Sequence, residues 1–218
     1  MVIKKRISAL VVLTCLLLVA LTGCGSTTAT EKAQPSEGAQ SEASGKNQTQ
    51  PQGEQRKILV AYFSSTGHTQ SLAKNTAEVL QADLYEIVPQ VPYTKNDLNY
   101  NDESTRATVE QKNANARPAI SGKAANFEKY DTIVLAYPIW WGQAPRIIDT
   151  FVESYDFSNK TIVPICTSAS SEIGSSADAL RPLCSSSAKW VAGKRFSEGT
   201  SKNELSSWFA SIKIIDKK

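Results

Sequence analysis

A doubly wound α/β sandwich around a parallel sheet is the fold class this sequence predicts, and three observations predict it. Apolar, β-rich runs without polar alternation recur at "KILVAYF" (57–63), "DTIVLAY" (131–137) and "KTIVPIC" (160–166), the pattern of strands buried on both faces. Amphipathic stretches with helical spacing separate them. Alternation of the two element types along the chain is the mark of parallel strands joined by crossover helices, which wind right-handed.

In chain order, "KILVAYF" is the first strand, and "HTQSLAKNTAEVLQ" sets Leu72, Ala73, Thr76, Val79 and Leu80 at spacings of three and four, which makes a helix. "DLYEIVP" (83–89) reads as the second strand. The next forty residues or so are polar and mixed, with Pro89 and Pro92 at their start; a helix is expected from about Asp102 to Asn115, stopped near Pro118. "DTIVLAY" is the third strand, and Pro145 suits the first turn of a helix carrying Ile147, Ile148, Phe151 and Val152. "KTIVPIC" is the fourth strand, "GSSADALRPLC" a short helix, "KWVAGKRF" (189–196) a weaker fifth strand and "SKNELSSWFASI" a closing helix. Five strands alternating with helices complete the sandwich.

The N-terminal fifth reads differently. Lys4, Lys5 and Arg6 precede an apolar run, Ile7 to Ala20, that is shorter than the roughly 20 residues of a membrane span and suits a secretory signal. It ends in Leu21-Thr22-Gly23-Cys24, which resembles the bacterial lipobox; cleavage before Cys24 would leave that residue carrying diacylglycerol, and a plain signal peptide or an uncleaved anchor are the alternatives. Two acyl chains, at about 0.8 kcal/mol per buried methylene, anchor a protein stably. Residues 24–56 hold no aromatic or branched aliphatic side chain and are expected to form a flexible tether, so the expected organisation is signal peptide 1–23, lipid-anchored linker 24–56 and a folded domain 57–218. The formal charge of +3 comes from the signal: without Lys4, Lys5 and Arg6 the chain is balanced, and no basic patch remains to recruit nucleic acid. A monomer is expected.

In open sheets of this class ligands sit outside the carboxyl ends of the strands where the winding reverses, which directs attention to "SSTGHT", "PIWWGQ" and "TSASSEIG". The first begins a helix, whose free N–H groups and positive dipole end favour an anion; Gly67 eases the turn and Ser64, Thr66 and Thr69 add hydroxyls. That set suits a phosphomonoester. The absence of Lys and Arg and of a Walker pattern disfavours a nucleoside triphosphate, and a turn capped by Thr66 or Thr69 is the simpler alternative. In the second loop, Trp140 and Trp141 between Pro138 and Gly142 offer a wall for a planar ring, unless both are core. His68, the one histidine of the chain, leaves no ligands for a His-rich zinc site and no elbow for a Ser-His-Asp triad. Its backbone N–H is the expected contribution, with a protonated imidazole near the phosphate as the sharper alternative. Cys166 belongs at the carboxyl end of the fourth strand and Cys184 at the far end of the following helix, more than about 10 Å away, beyond the roughly 7 Å Cα separation of a disulfide; two free thiols are expected.

"ILVAYFSSTGHT", "YDTIVLAYPIWWGQAP" and "ESYDFSNKTIVPICT" together resemble the flavodoxin family, in its double-Trp branch, over residues 57 to about 210. The resemblance implies strand order 2-1-3-4-5 and noncovalent FMN. Ser64, Ser65, Thr66, Gly67, His68 and Thr69 would hold its phosphate. Pro138, Ile139, Trp140, Trp141 and Gly142 would flank its ring, bordered on the other side by Thr167, Ser168, Ala169 and Ser170 of the third loop. Members of this branch usually carry glycines in that third loop; here Ala169, Ser170 and Glu172 stand instead, and side chains there would narrow the space for a ring. No residue of the three loops has the look of an obligate acid, base or nucleophile. The resemblance therefore implies an electron carrier between redox partner proteins, and the lipobox-like Leu21–Cys24 adds the expectation that Cys24 holds it on the outer face of the cytoplasmic membrane. An NAD(P)H-dependent quinone or flavin reductase, or a binding module that has lost FMN, are the alternatives. Flavodoxins tend to be strongly acidic, whereas this domain has 18 basic and 17 acidic residues from Lys57 onward, so a milder lowering of the FMN potential is expected.

Overall fold

The computed structural model describes residues 56–216. The expected signal peptide, lipid site at Cys24 and tether lie outside the described residues, apart from Arg56. The elements are β1 (Ile58–Tyr62), α1 (His68–Leu80), β2 (Asp83–Glu86), β3 (Val88–Pro89), α2 (Arg106–Lys112), β4 (Ile120–Ser121), β5 (Thr132–Pro138), α3 (Arg146–Glu153), β6 (Thr161–Thr167), α4 (Ser176–Leu180), β7 (Lys189–Trp190), β8 (Lys194–Phe196) and α5 (Lys202–Ser211). Short 3-10 turns at Phe127–Lys129 and Arg181–Leu183 complete them.

The main sheet runs β2-β1-β5-β6, with β7 and β8 both pairing to the outer edge of β6, and each of these pairings is parallel. Counting β7 and β8 as one interrupted strand, this is the expected order 2-1-3-4-5. Alternate residues of the buried strands serve opposite layers, as the period of two requires. Leu59, Ala61 and Phe63, with Ile133, Leu135 and Tyr137, pack beneath Ile147, Ile148 and Phe151 of α3. Ile58, Val60, Tyr62, Val134 and Ala136 pack against Leu72, Ala73 and Leu80 of α1 and Leu205 and Phe209 of α5. Phe151 and Phe209 are fully buried, and truncating either to alanine would cost about 3–5 kcal/mol.

Three expected elements are revised. The second strand stops at Glu86; Val88–Pro89 instead forms a small antiparallel ribbon with Ile120–Ser121, a strand the sequence reading did not foresee. Proline cannot donate to a ladder and is tolerated in such an edge pairing. The helix expected over 102–115 spans only Arg106–Lys112. Its first residues are taken by an Asx turn, in which Asp102 Oδ1 accepts from the N–H (2.8 Å) and hydroxyl (2.6 Å) of Ser104, and Asn113 Oδ1 accepts from Asn115 N (2.9 Å) at the other end. These side-chain bonds compete with helical ones. The fifth strand is split because its partner β6 contains Pro164: pairing holds at Thr161–Ile162 and again at Ile165–Thr167 but skips the proline. Gly193 fills the interruption, where a Cβ would lie 2.7 Å from the Pro164 carbonyl oxygen. Pro145 directly precedes α3 rather than sitting in its first turn.

Candidate functional site

Winding reverses between β1 and β5, since β2 lies on one side of β1 and everything after β5 on the other. The loops leaving β1, β5 and β6 therefore meet at the carboxyl edge of the sheet. They enclose a cleft of about 660 Å³, within the range of small-molecule sites.

The first wall is the turn into α1. Ser64 Oγ accepts from Gly67 N (3.1 Å), and Gly67, at φ +93°, turns the chain into the helix in a conformation that glycine adopts without strain. No side chain caps this helix start, so neither Thr66 nor Thr69 acts as the N-cap considered above, and the first-turn N–H groups are left without intrahelical partners. Space is open above Gly67, where an added Cβ would meet nothing within 4 Å. Ser65 Oγ is buried and makes no hydrogen bond. Such an orphan costs about 1–3 kcal/mol unless a ligand satisfies it. Thr69 Oγ1 lies 2.7 Å from Thr167 Oγ1 in a buried bond that ties this wall to the end of β6.

The second wall is a tight hairpin. Trp140 and Gln143 exchange backbone hydrogen bonds (2.9 and 3.0 Å), with Trp141 at φ +48° and Gly142 at φ +75°, the pair of left-handed residues typical of mirror-type turns. The two indoles divide the labour. Trp140 is wedged edge-on against Phe63 (5.6 Å between centroids) and Tyr93 (5.3 Å), whereas Trp141 is 44% exposed and faces the cleft. Gln111 of α2 fastens the hairpin, its amide donating to the carbonyls of Trp140 (3.2 Å) and Ala144 (2.9 Å).

The third wall follows β6. Arg195 of β8 donates to the Ser168 carbonyl through Nε (3.2 Å) and Nη2 (3.0 Å), and to that of Ala169 (3.1 Å). Ser168 Oγ accepts from the N–H groups of Ser170 and Ser171 (3.2 and 2.8 Å). Drawn back in this way, the loop presents only Thr167, Ser168 and Ala169 to the cleft. Glu172 lies 3.6 Å from Arg195, and the narrowing expected from the non-glycine residues does not close the cleft. Cys166 beneath it is buried, its thiol pushed up to about 12 chiefly by desolvation; Cys184 is half-buried, and both are free.

Of the residues expected in the site, Ser64, Ser65, Thr66, His68, Thr69, Pro138, Ile139, Trp140, Trp141, Thr167, Ser168 and Ala169 line one cleft. Gly67 and Gly142 shape its loops without lining it, and Ser170 stands outside. Four lining residues were missed. Leu98, Tyr100 and Ala107 come from the polar excursion before α2 and from α2 itself, and Glu198 from the turn before α5, where its carboxylate lies 2.8 Å from His68 Nδ1. A 72% exposed Tyr100 in a polar segment was a signal that the sequence offered only as an isolated aromatic. Among the described residues no cluster of three or more His, Cys, Asp or Glu could hold a metal.

Comparison with known proteins completes the picture. The Flavodoxin sequence profile matches residues 57–212. A crystal structure described as a flavoprotein of Bacteroides eggerthii is 41% identical, covering 72% of this chain and 97% of its own, with a TM-score of 0.68. One from Bacteroides uniformis is also 41% identical over 71% and 97% of the two chains, at 0.67. A Lactobacillus acidophilus flavoprotein solved in complex with FMN is 18% identical over 70% and 98%, at 0.51, and shares the fold. None of the curated proteins matches the sequence. With its profile match spanning the whole sheet and the three walls of the cleft, the chain belongs to the flavodoxin family.

Proposed function

We propose that this protein is an FMN-binding electron carrier, exported and held by lipid on Cys24 at the outer face of the bacterial cytoplasmic membrane, where it exchanges electrons with redox partner proteins. The observation that carries the reading is the composition of a single cleft. Uncapped helix N–H groups and the orphaned Ser65 hydroxyl lie at one end, and an exposed indole held in a left-handed backbone lies at the other. A phosphomonoester attached to a flat ring satisfies both ends.

FMN supplies one- and two-electron redox chemistry when bound. The residues here would bind and orient it. Ser64 to Thr69 offer hydroxyl and backbone donors to its phosphate, and Ser65 gains the partner it lacks. Trp141 would cover ring surface and exclude water, while Trp140 is locked by Phe63 and Tyr93 and keeps that wall from collapsing. The Thr69–Thr167 bond ties the first wall to the end of β6 and would hold the two apart at a fixed spacing around a bound FMN.

The visible spectrum of the purified protein, as isolated and after adding FMN, tests this directly. Flavin bands that survive gel filtration are expected; a colourless protein that takes up no added FMN would overturn the reading. For the anchor, the intact mass of the protein purified from membranes tests the reading: a chain that begins at Cys24 and carries acyl groups is expected, and an unmodified N-terminus would sink the lipid attachment.

A further inference from the structure

Behind the exposed indole of Trp141 the wall of the cleft continues into a group of oxidisable side chains. Trp140, its neighbour in the chain, packs edge-on against Tyr93, with 5.3 Å between ring centroids and 83° between ring planes. The Tyr93 hydroxyl donates to Glu110 Oε2 at 2.5 Å, and Glu110 Oε1 accepts from Arg106 Nε at 2.7 Å. Arg106 also lies over the Tyr93 ring, its Cζ 4.0 Å from the centroid, and is held there by a bond to the Val91 carbonyl (2.7 Å). The set runs from two indoles that line the cleft to a partly exposed carboxylate on α2.

Packing alone does not ask for these residues. Among the described residues, the other aromatic neighbours of indoles are phenylalanines, Phe63 on Trp140 and Phe196 and Phe209 on Trp208. Tyr93 is the one tyrosine among them that combines an indole neighbour with a carboxylate acceptor; Tyr130 donates to Asp83 (2.8 Å) without an indole beside it. That combination has a chemical meaning. An oxidised phenol is a strong acid, so tyrosine gives up an electron readily only where its proton can leave as well, and a carboxylate already in hydrogen-bond contact is such an acceptor. Burial, reinforced by the bond to Glu110, pushes the Tyr93 phenol up, so its proton stays on oxygen until the ring is oxidised. Arg106 holds the carboxylate in place and, as a cation over the ring, disfavours positive charge there, so the electron leaves together with the proton rather than ahead of it.

We propose that Trp141, Trp140 and Tyr93, with Glu110 as proton acceptor, form a relay that carries a one-electron oxidising equivalent away from the cleft. The oxidants it meets are radicals, oxygen-derived ones included, that take a single electron from an exposed indole. That step leaves Trp141 one electron short, and an electron from Trp140 refills it. Tyr93 then reduces Trp140. The phenol O–H bond breaks, its electron goes to the indole, its proton forms an O–H bond on the Glu110 carboxylate, and a neutral phenoxyl radical remains. Charge balances, because an indole radical cation and a carboxylate become a neutral indole and a carboxylic acid. The relay uses side chains of this chain alone and does not rest on the flavin reading.

Azide radicals generated by pulse radiolysis attack indole in preference to phenol and are the probe, applied to the purified protein. In the native protein the indole-radical absorption should decay as phenoxyl absorption grows, at a rate independent of protein concentration. Tyr93→Phe and Trp140→Phe each keep an aromatic ring in place and should each remove that phase. Glu110→Gln keeps a hydrogen-bond acceptor but no base, and should slow the phase about a hundredfold, whereas a merely structural bond would leave the rate unmoved. A phase unchanged in Tyr93→Phe or in Glu110→Gln overturns the proposal. So does a phase lost in Tyr93→Phe but kept in Trp140→Phe, since the phenol would then be oxidised directly. The native protein gives a check that needs no variant: a nitroso spin trap, located by peptide mass mapping, should mark Tyr93, and adducts confined to Trp141 and the exposed Tyr100 would sink the relay. A protein that shows the phase and takes up no flavin supports the relay and removes the flavin reading; one that binds FMN without the phase does the reverse.

Discussion

Two residues carry the cost of an open site. Ser65 buries a hydroxyl with no partner, and Trp141 holds a bulky side chain at φ +48°, where residues other than glycine are strained by about 1–3 kcal/mol. Both costs predict measurable trade-offs. Ser65→Ala removes an unsatisfied polar atom, so the ligand-free protein should gain about 1 kcal/mol in denaturant unfolding while FMN affinity falls severalfold; loss in both would mean that the hydroxyl has a partner in solution. At Trp141, the Gly and Ala variants lose the same indole and differ in tolerance of the left-handed backbone. Trp141→Gly should therefore be more stable than Trp141→Ala by about 1 kcal/mol, with FMN binding weakened equally in both. Equal stabilities would show that the turn relaxes once the indole is gone.

At the scale of elements, what was legible follows from which interactions decide each segment. β1, β5 and β6 are buried on both faces, so burial alone dictated their apolar runs and made them readable. The segment from Val88 to Ser121 is decided by Asx turns, an edge ribbon and the hydrogen bonds of Gln111, none of which leaves a periodic trace, and Tyr100 and Leu98 were missed with it. Glu198 escaped for a different reason: its relevance depends on β8 pairing with β6, which brings the turn before α5 beside a helix more than a hundred residues earlier. Arg195 looked like an ordinary strand residue, yet that same pairing aims it at the third loop. Its loss should be felt there. Arg195→Met keeps the apolar stem but removes the donors to Ser168 and Ala169, so stability should drop by about 2 kcal/mol. The loop should loosen over Cys166. In the native protein that thiol, buried and pushed up to about 12, should resist alkylation at pH 8, and the variant should label faster at Cys166 while Cys184 labels as before. Unchanged labelling at Cys166 would show that the loop is held by other means.

For the whole molecule, the two-layered core explains rigidity and the charge balance bears on redox behaviour. Fully buried aromatic and branched side chains on both faces of the sheet hold the carboxyl edge, so the three loops can be shaped for a ligand without supplying the stability of the fold. Over its whole length the domain carries 18 basic and 17 acidic residues from Lys57 onward. A strongly acidic flavodoxin repels the negative charge that bound FMN acquires on reduction, and salt relieves this repulsion by shortening the Debye length from about 30 Å at 0.01 M to about 10 Å at 0.1 M. Here the long-range contributions of opposite sign largely cancel, and beside the cleft Glu198 meets His68 while Glu172 lies 3.6 Å from Arg195. The potential of the fully reduced couple should consequently be lowered less than in acidic relatives, and should shift little between those two salt concentrations. Potentiometric titration at both concentrations decides it: a potential as low as that of an acidic flavodoxin, or one that climbs steeply with salt, would show that an uncompensated negative field reaches the flavin in spite of the balanced sequence.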